Sequence, residues 1–509
     1  MNAEALTHLA PRLAKYRHNT QDPFGGWHIL VCRVGIPARL RVSPLTFLRA
    51  GIPMRQPRFV KRWSHRVRKA PLMLLGGIVA VLRRAGYCFV SLEAQMSYKG
   101  LGHSVRHRST VFGVIAILTI VAAGREKILY SFAGNEDGEY ADTGLVIDSA
   151  GNIYGTTIQG GIHTSGTVFQ LTPLGKHTVL YSFNGGTDGS EPYKGVTLDA
   201  AGSLYGTTVA GGDTSCDGGC GVVYKLTKSG GTWTQSVIHA FTGGADGSGA
   251  GSPLVFDKHG NIYGMTPAGG GTGCFGLGCG VVFRLEPDWT GNWHLRVLHT
   301  FTGGTDGFGG SAGRLLIGHA GHLYGVATGG GANGQGVAFE LTPTPTGEWQ
   351  FQTIYAFNVQ PDAGSPYGGL ISDKFGNLYG TTYFGGTNGL GSVYKLERNG
   401  ASWTETVLYS FQGGSDGDSP LSTLVFDGAG NLYGTTSVDG DPGCVCGTIF
   451  KLSPTNGQWT ETVEHRFKGP TGDGGFPYPG MVPDSSGHFY GAARNGGMND
   501  DGAIYKFVP

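Results

Sequence analysis

The sequence predicts an all-β fold: a seven-bladed β-propeller of four-stranded blades, closed by its N-terminal strand completing the last blade. Three observations carry that expectation. A heptapeptide of the type "GNLYGTT" recurs seven times, three further strand-like phrases keep its phase, and each chain end holds one part of a shared unit.

The heptapeptide stands unchanged at Gly376–Thr382 and Gly430–Thr436, with variants beginning at Gly151, Gly202, Gly260, Gly321 and Gly487. Its tyrosines are Tyr154, Tyr205, Tyr263, Tyr324, Tyr379, Tyr433 and Tyr490, spaced by 51, 58, 61, 55, 54 and 57 residues. Before each copy lies an apolar run such as "GLVID" (144–148) or "STLVFD" (422–427). After it come a Gly-rich loop, a phrase such as "GTVFQL" (166–171) or "GSVYKL" (391–396), and then one such as "TVLYSF" (178–183 and 406–411). These are four short strands, a to d, rich in β-branched and aromatic residues and bounded by Gly, Asp and Pro. Asp-x-x-Gly-Asn at Asp148, Asp257, Asp373 and Asp427 reads as the a-to-b hairpin turn. Strand b is apolar on both faces, as expected where sheets stack face to face. The glycine after its tyrosine is expected to let neighbouring sheets approach closely.

The ends decide between ring and open stack. "EKILYSF" (126–132) is a d-type strand with no unit before it, and "AIYKFV" (503–508) is a c-type strand with no d strand after it. Pairing the two completes a seventh blade and removes both open edges. An open solenoid would need polar capping units, and neither end carries one.

Composition agrees. The chain has 509 residues and 93 glycines without a third-residue period, which excludes collagen and signals many tight turns. Residues 1–110 hold 19 of the 37 Lys/Arg and 3 of the 36 Asp/Glu, leaving that front near +16 and the remainder near −15. The acidic body argues against nucleic acid as a partner. Residues 1–95 carry no repeat and form a basic segment expected to lie outside the mature fold. Residues 96–123 read as a signal peptide or a signal anchor: a basic lead (Lys99, Arg106, Arg108), the apolar run Val111–Ala122 and small residues before Gly124. That run is short of the roughly 20 residues of a membrane span, so export with cleavage after Ala123 and translation from Met96 is the preferred reading. The expected product, 124–509, is a monomer in the extracellular space or periplasm, without a stable membrane span.

The phrases "LYSF", "GG-x-DG", "D-x-x-GN-LYGTT" and "G-x-VFKL" resemble the GloVer tandem-repeat family of bacterial extracellular proteins, over about 125–509. The resemblance implies export, in some members a C-terminal surface anchor, and no established catalytic residues. The end at Pro509, directly after the last strand, leads us to expect no such anchor here.

Six cysteines fall in the b-to-c loops: Cys216 and Cys220, Cys274 and Cys279, Cys444 and Cys446. In an exported chain they read as local disulfides, the last closing a very tight ring; a four-thiolate zinc site between adjacent blades is the alternative. The d-to-a loops repeat Gly-Gly-x-Asp-Gly at Asp188, Asp246, Asp306 and Asp416, with Asp137 related. One carboxylate per loop suits turn chemistry better than calcium. "GGSDG" (413–417) and "GTGCFG" (271–276) match nucleophile-elbow and dinucleotide patterns but lack the helices those motifs need. His239, His299 and His465 share a d-strand slot with Tyr130, Tyr181, Tyr355 and Tyr409, and Trp233, Trp293, Trp349, Trp403 and Trp459 open d strands; packing between blades accounts for both sets. Nothing calls for a cofactor or a metal.

A ligand is expected where the d-to-a and b-to-c loops gather, on one face near the channel mouth. Tyr193, Tyr367 and Tyr478 precede a strands there, Tyr140 is similar, and Arg314 is a charge without counterpart in other units. The leading functional expectation is a secreted, non-enzymatic propeller that binds a glycan or a protein, or forms surface structure. The alternative is a hydrolase or lyase with its site at the same mouth, which would need unlike ionisable groups converging from different blades.

Overall fold

The repeated phrase builds a bracketed turn. In the computed structural model Asp257 Oδ1 accepts the backbone N–H groups of His259 and Asn261 at 2.8 and 3.0 Å. Its Oδ2 accepts the Asn261 side-chain amide at 2.7 Å and the Tyr263 hydroxyl at 3.0 Å. Asp148 and Asp373 make the same four bonds in their units. Gly260 within the turn sits at φ +85°, a conformation costly for any residue with a Cβ. Aspartate, glycine, asparagine and tyrosine therefore recur together because they form one hydrogen-bonded unit.

The glycine after the tyrosine has a different role from the one expected. A Cβ on Gly155 would stand 2.7 Å from Phe169 Cζ and 2.9 Å from Leu145 Cδ2, both in the same blade. At Gly434 the nearest atom is Phe450 Cζ, at 2.5 Å. Gly155 and Phe169 are direct cross-strand partners, as are Gly434 and Phe450. The missing side chain thus seats the strand-c ring of its own sheet rather than admitting the neighbouring one.

The structure describes residues 126–509 apart from 311–312, 359–362, 442 and 470–471, together with the strands Leu92–Glu93 and Thr110–Val111. Those two strands pair antiparallel. The rest of the basic segment 1–95 and of the signal segment 96–123 lies outside the described residues.

Seven antiparallel sheets follow, each ordered a-b-c-d. Blade 1 is Val146–Ile147, Ile153–Thr157, Thr167–Leu171 and His177–Ser182, and blade 2 is Val196–Leu198, Leu204–Thr207, Val222–Ser229 and Thr232–Ala240. Blade 3 is Val255–Phe256, Ile262–Met265, Val281–Pro287 and Trp293–Thr300, and blade 4 is Leu316–Ile317, Leu323–Ala327, Val337–Pro343 and Trp349–Ala356. Blade 5 is Ile371–Ser372, Leu378–Gly385, Ser392–Asn399 and Ser402–Ser410, with an added strand, Ala363–Pro366, along the far half of its strand b. Blade 6 is Val425–Phe426, Leu432–Thr436, Thr448–Thr455 and Gln458–Arg466. Blade 7 takes Val482–Pro483, Phe489–Ala493 and Ala503–Phe507 from the end of the chain and Glu126–Ser131 from its beginning.

The closing pair runs from Glu126 opposite Phe507 to Ser131 opposite Ala503. Its register slips between Ile128 and Tyr130, and the c–d pairs of the other six blades carry an equivalent slip, as at Val168/Phe169. The chain's first described strand of the propeller is thus a true d strand, bulge included.

The core is divided among the seams. Seven apolar clusters each join one blade to the next, the last linking Phe132, Ala492 and Ile504 of blade 7 to Leu145, Ile153 and Phe169 of blade 1. Across every seam the phenylalanine ending a d strand meets the strand-c aromatic of the following blade edge to face. The pairs are Phe132–Phe169, Phe183–Tyr224, Phe241–Phe283, Phe301–Phe339, Phe357–Tyr394, Phe411–Phe450 and Phe467–Tyr505, with centroids 4.9–5.6 Å apart. The d-strand tryptophans lie edge-on to the strand-b tyrosine of the preceding blade, as Trp233 does to Tyr154 and Trp459 to Tyr379. Packing explains them, as expected.

Candidate functional site

Strands a line the axis and touch one another there. A Cβ on Gly195 would stand 2.1 Å from the Gly144 carbonyl oxygen, and the Gly369 N–H donates to Thr423 Oγ1 at 2.9 Å. The residues leading into these strands therefore ring one mouth of the axial channel. Counting three residues back from the first buried apolar residue of strand a gives Tyr193, Tyr367 and Tyr478 in blades 2, 5 and 7. In blade 1 the same slot holds Asp142. Tyr140 lies two residues earlier, in a slot shared with Glu191, Ser365, Ser419 and Phe476. These five adopt φ between +53° and +58°, a left-handed conformation that costs a residue with a Cβ about 1–2 kcal/mol.

The strained slot organises a second ring. The Tyr140 carbonyl accepts the N–H of Ile158, Glu191 that of Val209, Ser419 that of Ser437, and Phe476 that of Arg494. Each donor follows its strand-b glycine by three residues, a slot that also holds Tyr383 in blade 5. Arg494 is thereby held at the mouth, and Tyr383 stands close enough to act on Tyr367 and Tyr478.

The tyrosines converge around Asp142, which is 1% exposed. Its Oδ2 lies 3.8 Å from Arg494 Nη1 and has no hydrogen-bond partner among the described residues. Lys194 Nζ sits 4.1 Å from the Tyr193 ring centre and 5.7 Å from that of Tyr367, which enters from blade 5. The Arg494 guanidinium lies 5.6 Å from the ring of Tyr140 and 6.0 Å from that of Tyr478. Burial raises the Asp142 pKa, against the lowering pull of Lys194, Arg494 and a hydrogen bond from Tyr193. Burial lowers that of Lys194, opposed by Asp142. Burial, then the Asp142 charge, pushes Tyr367 up to about 12. One carboxylate set against two cations is a poor metal cage. Aromatic faces with polar tips around a dehydrated carboxylate suit a polyhydroxylated ligand.

Of the residues singled out in the sequence, Tyr140, Tyr193, Tyr367 and Tyr478 share this mouth. Arg314 occupies the slot of Gly195 and Gly369; it is solvent-accessible inside the crowded channel, where desolvation lowers its pKa. Among the described residues no hydrogen bond or ion pair joins it to the tyrosines. Asp142, Lys194, Arg494 and Tyr383 escaped the sequence reading. Their signal lay in the columns of the repeat: Asp142 replaces a tyrosine, and Arg494 replaces Ile158, Val209 or Pro267.

The remaining constellations resolve structurally. Cys216–Cys220, Cys274–Cys279 and Cys444–Cys446 are all disulfide-bonded, which leaves no thiolate in these loops for zinc. The d-to-a aspartates anchor their own loops. Asp137, Asp188 and Asp416 accept the hydroxyls of Tyr130, Tyr181 and Tyr409 at 2.7–2.8 Å, and each also accepts a backbone N–H. Asp246 and Asp306 pair with His239 and His299 at 3.1 Å. Turn chemistry accounts for the repeat of Gly-Gly-x-Asp-Gly.

Fold and mouth together define a seven-bladed, disulfide-bearing propeller whose blades diverge at one end of the channel. The chain matches the Gloeobacter/Verrucomicrobia repeat over residues 104–315 and again over 311–509, and it belongs to that repeat family. No curated protein matches it. Solved structures similar to it include a Bacteroides uniformis protein assigned as a 6-phosphogluconolactonase, at 12% identity, TM-score 0.45, 67% of this chain and 89% of that one. A protein from Lactobacillus plantarum matches at 12% identity, TM-score 0.46, 69% and 90%. A Dyadobacter fermentans protein of unknown function matches at 14% identity, TM-score 0.37, 75% and 98%. Among the described residues no helix is long and apolar enough to cross a membrane.

Proposed function

We propose that this chain is an exported carbohydrate-binding propeller that takes its ligand at the tyrosine-lined channel mouth. The observation carrying this reading is the convergence of Tyr193, Tyr367 and Tyr478, from three blades, on the buried Asp142. Sugar rings stack on tyrosine faces whose polar tips hydrogen-bond sugar hydroxyls, and the buried Asp142 beneath them orders the cluster through its charge. Lys194 and Arg494 leave the mouth with surplus positive charge, which favours sugars bearing a carboxylate or sulfate. Three disulfides support an oxidising compartment, and the acidic body supports a partner other than nucleic acid.

A glycan-array screen of the secreted protein tests the reading. Binding to a defined glycan class is expected, with Tyr193→Ala/Tyr367→Ala and Asp142→Asn each abolishing it while the melting temperature stays within a few degrees. An array with no hit would overturn it. Breakdown of a bound glycan, lost in Asp142→Asn, would move the reading to the hydrolase or lyase alternative.

A further inference from the structure

A second cluster lies away from the mouth, at the seam between blades 6 and 7. Glu126 opens the closing strand, His465 lies in strand d of blade 6, and Asp473 lies in the loop that follows it. Among the described residues they form the one group of three potential ligands whose donor atoms all lie within 4.8 Å of one another. His465 Nε2 is 2.9 Å from Asp473 Oδ2 and 4.0 Å from Glu126 Oε2.

Comparison across blades shows what is unusual here. His239 and His299 hydrogen-bond their loop aspartates. His465 Nε2 comes as close to Asp473, but among the described residues it makes no aligned hydrogen bond. The slot of Glu126 holds His177, Gln235, Leu295, Phe351, Glu405 and Glu461 in blades 1 to 6. Where it is a ring, that ring stacks on the preceding blade, His177 on Tyr130 at 4.3 Å and Phe351 on His299 at 3.8 Å. Glu461 fills it in blade 6 but faces Tyr409 and Asp416, with no imidazole. Only at the closing seam do two carboxylates and an imidazole meet. The Glu126 side chain is 6% exposed, and its Oε1 has no hydrogen-bond partner among the described residues. A buried carboxylate beside a second one needs a proton or a cation to neutralise it.

We propose that Glu126, His465 and Asp473 form a site for a divalent transition-metal ion of the zinc class, which rivets the closing strand to blade 6. One imidazole nitrogen and two carboxylates, with water completing the shell, are an ordinary donor set for Zn²⁺ and a poor one for Ca²⁺, which takes six to eight oxygens. Without metal, burial and then Asp473 push the Glu126 pKa up to about 8, with Lys468 opposing. The Tyr505 hydroxyl also feels the Glu126 charge. A raised carboxyl pKa contributes stability below its unfolded value of 4.5, and that contribution is lost as pH rises through about 8.

The test is calorimetric titration of the full, oxidised, EDTA-treated chain with Zn²⁺, paired with thermal melts. Expected are one Zn²⁺ per chain, a rise in melting temperature, and little response to Ca²⁺. Glu126→Gln removes a ligand and keeps the shape. His465→Tyr installs the residue that sister blades use to bond the same aspartate, so the fold is retained. Each variant is expected to lose about tenfold or more in Zn²⁺ affinity. Absence of a 1:1 site in the unmodified protein, or undiminished binding in both variants, would sink the proposal.

Discussion

Tyr224, Tyr394 and Tyr505 occupy the strand-c slot that is phenylalanine in the other four blades, and their buried hydroxyls have no hydrogen-bond partner among the described residues. Desolvating a hydroxyl without a partner costs about 1–3 kcal/mol. Tyr224→Phe keeps the edge-to-face contact with Phe183 and removes that cost. The variant is expected to match or exceed the parent in urea unfolding, by up to about 1 kcal/mol. A loss greater than that would mean the hydroxyl has a bonding role. At the mouth, Asp142 Oδ2 likewise has no hydrogen bond among the described residues, but there the Arg494 guanidinium stands 3.8 Å away and offsets the cost with its charge.

At the scale of the strand, the unit is the glycine–aromatic pair across b and c. Gly434→Ala would place a methyl 2.5 Å from Phe450 Cζ and 2.9 Å from Leu424 Cδ2, in a core with no room to shift either. Overpacking of this kind costs about 1–3 kcal/mol, and a fall of that size in denaturant stability is expected. Unchanged stability would show that the ring moves freely. The strand phrases were legible because their residues serve local ends: Asp257 bonds residues two, four and six positions on, all within one turn. The reason for the glycine was not legible, since its partner ring arrives from a strand about fifteen residues later and shape decides the contact.

At the scale of the molecule, stability depends on closing the ring. Removing residues 1–132 would strip the partner of Ala503–Phe507 and the Phe132–Phe169 contact at the seventh seam. The exposed strand is an open edge of the kind that aggregates. The truncated chain is expected to melt well below the full chain and to run as oligomers on size exclusion; an identical, monomeric melt would disprove closure as a stabilising device. Closure could be inferred because an unpaired d strand and an unpaired c strand stand at opposite ends of a counted repeat.

The sequence by itself determined the blade count, the strand order within a blade, the closing pair and the loops that bear disulfides. Each follows from periodicity, which records interactions that every unit repeats. The tertiary structure alone decided which departures from the repeat act together. Asp142, Tyr193, Tyr367 and Arg494 are separated by up to 352 residues, and Glu126 by more than 300 from His465. A ring brings such positions together by angle and radius around its axis, quantities that distance along the chain does not encode.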